Sequence, residues 1–149
     1  DPPLQVDGRP LLPLEIAGPW EVRFQPDRGA PASCVFEKLV SWTEMPDDGI
    51  KYFSGTATYR KELTVRRDAT AGRQLFLDLG HVEVMAEVFL NGTNLGVLWT
   101  RPFLVDVTRA ARAGANLLEV RVTNLWPNRY PGQDRCGDDA VSRCHSCYT

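Results

Sequence analysis

The sequence predicts an all-β fold, an antiparallel β-sandwich of jelly-roll type. Three observations carry the fold class. Apolar and polar residues alternate in six separate short runs, turn-forming clusters divide those runs, and helical periodicity is nearly absent. Period-two alternation places every second side chain on one face, so each run can lay an apolar face on a core and leave the other in water. Many short strands of this kind close most readily as two packed antiparallel layers.

The runs follow in order. In WEVRF, Trp20, Val22 and Phe24 share a face that reads as core, with Glu21 and Arg23 opposite. In TATYRKELTV, Ala57, Tyr59, Leu63 and Val65 face one way and Thr56, Thr58, Arg60, Glu62 and Thr64 the other, while Lys61 breaks the apolar side. LFLDL supplies Leu75, Leu77 and Leu79; AEVFL supplies Ala86, Val88 and Leu90; FLVDV supplies Phe103, Val105 and Val107; LLEVRV supplies Leu118, Val120 and Val122. DRGAP, PDDG, AGR, NG and AGAN punctuate them. VTRAARAG is the one helical candidate, capped by Thr108, stopped at Gly114 and at most two turns long.

The stretch EVFLNGTNLGVLWTRPFLVDVT, from Glu87 to Thr108, reads as two strands folded back on each other and then a third. Asn91-Gly92 suits a type I′ turn, whose central residues both need positive φ. Asn91-Gly92-Thr93 also matches a glycosylation sequon, but the turn reading is preferred because it assumes nothing about the cell. Trp99 and Arg101 stand at a strand end, and Pro102 stops the ladder. Trp99 continues the face of Leu95 and Val97, so it reads either as a cap on the core or as a ligand contact.

The chain has 149 residues, 43% of them hydrophobic, and a net charge of −2. About 150 residues suffice for one ordinary core. The charge gives no basis for binding nucleic acid or an anionic membrane surface. No apolar run approaches the roughly 20 residues of a membrane helix. Residues 1–14, with four prolines, read as a linker or extended arm, residues 15–130 as the sandwich and residues 131–149 as a polar, cysteine-containing tail without regular structure. The chain opens on DPPLQVDGRP, without methionine or a visible signal peptide, and reads as a processed chain or a piece of a longer one. Cys34 stands alone, while Cys136, Cys144, His145 and Cys147 could make a zinc site or redox pair on paper; a tail is the simpler reading.

Catalytic material is thin. Glycoside hydrolysis needs two carboxyls across a sugar. Glu44, Asp47 and Asp48 in SWTEMPDDGIKY, with Glu83 and Glu87 elsewhere, are the candidates, and acids in a Pro-Gly loop read first as turn formers. His81 reads as structural rather than as a general base, and neither a Gly-x-Ser-x-Gly elbow nor a Walker loop occurs.

AGPWEVRF, SGTATYRKELTV, LFLDLGHVEVMAEVFLNGTNLGVLWTRPFLVDVT, GANLLEVRVTN and LWPNR occur in that order. Together they resemble the galactose-binding-like sandwich domain of glycoside hydrolases: the family-two sugar-binding domain and, more closely through GIKYFSGTATY, VLWTRPF and TNLWPNR, the C-terminal sandwich of large bacterial α-L-rhamnosidases. The resemblance implies a non-catalytic carbohydrate-binding or accessory domain whose catalytic carboxylates lie on a separate barrel. It also implies that this catalytic domain of a parent enzyme is a partner, and that the parent is a periplasmic or secreted bacterial protein. Two other readings stay open: a small stand-alone hydrolase using Glu44, Asp47 and Asp48, and a purely structural buttress.

An oligosaccharide or polysaccharide ligand needs an aromatic face for the ring and a few planar polar groups for its hydroxyls. Trp99, Arg101, Trp126, Asn128 and Arg129 are the first candidates, with Trp42 and Tyr52 next, all beside turns or strand ends where function is usually carried. Arg101 and Arg129 paired with Asp47, Asp48 or Asp106 is the plain alternative. No cofactor is expected; a structural calcium held by PDDG or QDRCGDD is a weaker expectation, since neither matches an Asp-x-Asp-x-Asp-Gly loop.

Overall fold

A computed structural model of the chain describes residues 15–70, 72–80, 82 and 85–124, with the backbone at 5–6 and 9–10. In chain order the strands are β1 (Gln5–Val6), β2 (Arg9–Pro10), β3 (Trp20–Phe24), β4 (Ser33–Phe36), β5 (Gly55–Val65), β6 (Phe76–Asp78), β7 (Met85–Leu90), β8 (Thr93–Leu98), β9 (Leu104–Asp106) and β10 (Gly114–Asn124). A 3-10 turn at Trp42–Glu44 and helix α1 (Asp48–Lys51) precede β5, and helix α2 (Arg67–Thr70) follows it. Six strands form one antiparallel sheet in the order β4-β3-β5-β10-β7-β8, β6 pairs with β9, and β1 pairs with β2.

Each of the six alternating runs lies on a strand. The two longest, β5 and β10, pair along their full length from Gly114↔Val65 to Asn124↔Gly55. The inner face of the large sheet presents Trp20, Val22, Phe24, Tyr59, Ala86, Val88, Leu90, Leu118 and Val120, all buried, against Leu77, Leu79, Val82, Phe103 and Val107 of the opposing layer. Each such large side chain contributes about 1.5–3 kcal/mol by leaving water. The fold is therefore the expected sandwich.

Lys61 sits on the apolar side without breaking it. Its Nζ donates to the Pro19 carbonyl at 3.1 Å and lies 5.5 Å from the Trp20 ring centroid, so the stem covers apolar surface while the charge finds partners at the rim. The expected helix at VTRAARAG does not form. Ala110 and Ala111 both donate to the Val107 carbonyl in a single turn, and Thr108 Oγ1 accepts from Leu75 N at 2.9 Å instead of capping. Helical structure appears where acids and glycine read as a loop: Asp47 accepts from Gly49 N and Ile50 N and caps the one-turn α1.

The outer face of the large sheet is charged. Glu21 pairs with Arg23 at 2.7 Å, and Arg60 Nε lies 2.8 Å from Glu119 Oε1, although its N–H is not aimed for a hydrogen bond. An exposed pair such as Glu21–Arg23 adds about 0–1 kcal/mol.

Candidate functional site

Asn91 (φ 52°) and Gly92 (φ 80°) form the β7–β8 turn with both central residues at positive φ, as the sequence reading expects. The asparagine also has a second role. Its Nδ2 donates to Ala110 O at 2.9 Å and to Asn116 Oδ1 at 2.8 Å, and its Oδ1 accepts from Leu117 N at 3.0 Å. Buried Asn116 donates in turn to Arg112 O and Gly114 O. The hairpin tip is thereby fastened to the chain entering β10.

Beyond that turn the strand departs from simple alternation. The β7–β8 register runs Phe89↔Asn94 but Val88↔Gly96, leaving Leu95 as an extra residue in a bulge. Gly96 takes φ 108°, and Leu95 and Leu98 both pack on the core. Val97, opposite Glu87, is therefore turned to the outer face, since Ala86 and Val88 on either side of Glu87 are buried. Trp99 follows on the same outward side and is 72% exposed. The continuous face of Leu95, Val97 and Trp99 is corrected by this one inserted residue, and the core-cap reading of Trp99 falls with it.

Trp42 goes the other way. It is 3% exposed, its Nε1 donates to Tyr59 Oη at 2.6 Å, and Phe24 and Phe53 meet its ring edge-to-face. It is a core residue with no face left for a ligand. Tyr52, ten residues on, is 44% exposed on the loop entering β5.

The register decides which strand ends meet. Leu98 at the end of β8 is level with Ala86 near the start of β7, Ala86 with Val122 near the end of β10, and Asn124 with Gly55 at the start of β5. Trp99, Arg101, the end of β10 and the Tyr52 loop therefore share one end of the sheet. Trp99 and Tyr52 are the exposed aromatics among the described residues. At that end, on the outer face of β5, β10 and β7, lies a row that the sequence reading did not single out. Thr123 pairs with both Thr56 and Met85, the two threonine hydroxyls are 3.0 Å apart, and Gln25 Oε1 accepts from Thr56 N at 3.4 Å. Alternation had put Thr56 on the outward face, but only the pairing brings Thr123 beside it. Trp126, Asn128, Arg129, His81, Glu83, Cys136, Cys144, His145 and Cys147 lie outside the described residues.

The candidate catalytic acids have structural occupations. Asp47 is the cap of α1, Asp48 opens its first turn, and Glu44 is exposed on the 3-10 turn. Glu87 accepts from Asn94 Nδ2 at 3.0 Å and lies 3.8 Å from Arg121. Among the described residues no three His, Cys, Asp or Glu side chains cluster in a way that could hold a metal ion. Burial first, and the charge of Asp47 second, push the Cys34 thiol up. A small apolar recess between Trp20, Tyr59, Leu79 and Val122 lies on the core side, away from the exposed end row.

A family model described as the glycosyl hydrolase 2 galactose-binding domain-like family matches residues 20–146. A protein of Formosa agariphila, provisionally named a beta-glucuronidase, is 47% identical over 124 residues, which is 83% of this chain and 11% of that protein. The structure of a rhamnosidase from Novosphingobium sp. PP1Y superposes with a TM-score of 0.79 at 34% identity, covering 97% of this chain and 16% of that one. The beta-glucuronidase of Bifidobacterium dentium gives a TM-score of 0.66 at 26% identity over 82% of this chain and 21% of its own. This chain thus spans between about a tenth and a fifth of the length of these relatives.

Proposed function

The chain belongs to the glycosyl hydrolase 2 galactose-binding domain-like family, and from that premise we propose that it is a non-catalytic carbohydrate-binding, accessory domain of a rhamnosidase-like glycoside hydrolase. One observation carries the binding role: the exposed aromatics Trp99 and Tyr52 stand at the same end of a rigid sheet. An aromatic ring kept in water at a strand end loses the stabilisation of burial, and a sugar's C–H face restores it. Arg101, on the segment leaving β8, supplies a planar donor fork for hydroxyl groups at that end. Trp126, Asn128 and Arg129 remain proposed contacts on sequence grounds.

The partner in this reading is the catalytic domain of the parent enzyme. The small share of each relative that this chain covers supports that assignment. Hydrolysis by the chain itself is disfavoured by the capping role of Asp47, which ties an oxygen of one candidate carboxyl to two backbone N–H groups.

A second reading, the buttress, draws on the exposed Val97 beside Trp99, which is the kind of surface a neighbouring domain covers. Calorimetry of the 149-residue chain with rhamnose-, galactose-, xylose- and glucuronate-containing glycans separates the two. Binding lost in Trp99→Ala supports the carbohydrate role, and no heat with any of them leaves the buttress. Nitrophenol release from aryl rhamnosides or glucuronides by the chain alone would overturn the non-catalytic part.

A further inference from the structure

We propose that Asn91-Gly92 is a site of self-modification: a succinimide-forming pair that Asn116 keeps locked in the folded chain, and whose conversion to aspartate or isoaspartate irreversibly releases the β7–β8 hairpin tip. The inference concerns the integrity of the fold and holds whether or not the domain binds sugar.

The chemistry follows from the two residues. Gly92 has no Cβ, so its backbone nitrogen can approach the Asn91 side chain without hindrance. That nitrogen attacks Asn91 Cγ. The Gly92 N–Cγ bond forms, the Cγ–Nδ2 bond breaks, and Nδ2 leaves as ammonia with the Gly92 proton. Water then opens the cyclic imide, at Cγ to give aspartate or at the backbone carbon to give isoaspartate. Water enters, ammonia leaves, and no oxidant or other reactant is required. The chain has one Asn-Gly pair, and it stands at this turn. Gly92 is exposed, and a Cβ built on it meets nothing within 4 Å, so the turn is open to water.

The obstacle is the bonding of the Asn91 side chain. Both N–H groups of Nδ2 are committed, to Ala110 O at 2.9 Å and to Asn116 Oδ1 at 2.8 Å, and Oδ1 accepts from Leu117 N at 3.0 Å. Its backbone N–H donates to Leu117 O at 2.9 Å. While these bonds hold, Cγ cannot turn toward Gly92 N and Nδ2 cannot depart. Asn116 is 2% exposed and is itself fixed by Arg112 N, Arg112 O and Gly114 O, which makes its Oδ1 a rigid acceptor. Reaction therefore waits on local opening, and breaking these bonds lowers the reactive population by at least about tenfold.

The product cannot lock again. A carboxylate at position 91 has no donor for Ala110 O or Asn116 Oδ1 and sets its charge against both acceptors. Asn116 cannot turn its amide round without giving up Arg112 and Gly114. Isoaspartate also lengthens the main chain by a carbon within a turn whose central residues are held at φ 52° and 80°.

The experiment incubates the full 149-residue chain at mildly alkaline pH. Conversion is read by mass spectrometry as the amide-to-acid mass gain and as isoaspartate in the proteolytic peptide spanning Asn91. A synthetic peptide of residues 86–96 and the same chain unfolded in urea give the unprotected rate. The folded chain should convert at least about tenfold more slowly than either, and Asn116→Ala at least about threefold faster than wild type. Val22→Ala, a core variant on β3, separated from β7 by β5 and β10, should keep the wild-type rate. Asn91→Asp, which mimics one product, should unfold at lower denaturant than wild type. Conversion of the folded wild type at the peptide rate overturns the lock, and this comparison decides even if Asn116→Ala does not fold. A Val22→Ala rate equal to that of Asn116→Ala assigns the reaction to global unfolding and overturns local control. An Asn91→Asp variant as stable as wild type overturns the release of the hairpin tip.

Discussion

The two ends of the large sheet's inner and outer faces treat tryptophan in opposite ways. At the β3–β5 corner, Trp42 is folded over the inner face by the segment from 37 to 54 and closes a cluster with Phe24, Phe53 and Tyr59, ring against ring at centroid distances of 4.9–6.0 Å between Phe24, Trp42 and Phe53. At the β7–β8 corner, Trp99 follows a bulge and is turned into water. Both residues sit beside turns, and both look like ligand contacts in sequence. The difference teaches that a turn-proximal aromatic is assigned by what folds back over it. The first corner has a capped helix and a 3-10 turn to close it, whereas the second has a one-residue insertion that re-aims the strand.

The largest expected effect breaks the comparison directly. Trp42→Ala should lower stability by about 3–5 kcal/mol, through the lost ring, the cavity and the lost hydrogen bond to Tyr59 Oη. Trp99→Ala should stay within about 0.5 kcal/mol of wild type. Urea unfolding of both variants checks this, and comparable losses would mean that the two corners are alike.

Next is the fastening of the hairpin tip. Asn116→Ala strips partners from Asn91 Nδ2, Arg112 N and two carbonyls. It should cost about 1–3 kcal/mol. Asn91→Ala should cost a similar amount, and the double variant less than the sum, because the two amides act through each other. Strict additivity in denaturant unfolding would show that the two amides work independently.

A smaller effect sharpens the account of the bulge. A Cβ built on Gly96 meets nothing within 4 Å, so Gly96→Ala changes backbone conformation alone. At φ 108° the cost should be about 1 kcal/mol or slightly more. If the variant is neutral by thermal unfolding, the bulge does not need this backbone and Trp99 is exposed for another reason.

The smallest effect lies beside the opposing layer. Hydrogen bonds from Thr108, first its side chain and then its backbone N–H, hold the Asp106 carboxyl below its usual range, and Arg109 adds to this. A carboxyl with a depressed folded value stabilises the fold above its unfolded value of about 3.9 and loses that contribution as the pH falls through the folded value. Wild type should therefore exceed Asp106→Asn slightly at pH 7, and the gap should close in acid. A gap that is constant across pH would assign the effect to shape rather than charge.

Much of the fold is legible in the residues themselves. The six alternating runs, the Asn91-Gly92 turn and the core assignment of Trp20 need only local information: a side-chain period of two and a turn that demands positive φ. The exposed aromatic at position 52 and the outward Thr56 were also within reach of that reasoning. Three matters were not, and each depends on a partner distant in sequence. The bulge at Leu95 exists only against β7, because an inserted residue is defined by the strand it fails to pair with. The burial of Trp42 depends on Tyr59 offering an acceptor 17 positions away. The row of Thr56 and Thr123 depends on a register that joins residues 67 positions apart. Alternation tells which side of its own strand a side chain takes. Only the packed sheet decides what lies beside it, because lateral neighbours in an antiparallel ladder are set by pairing across the whole chain.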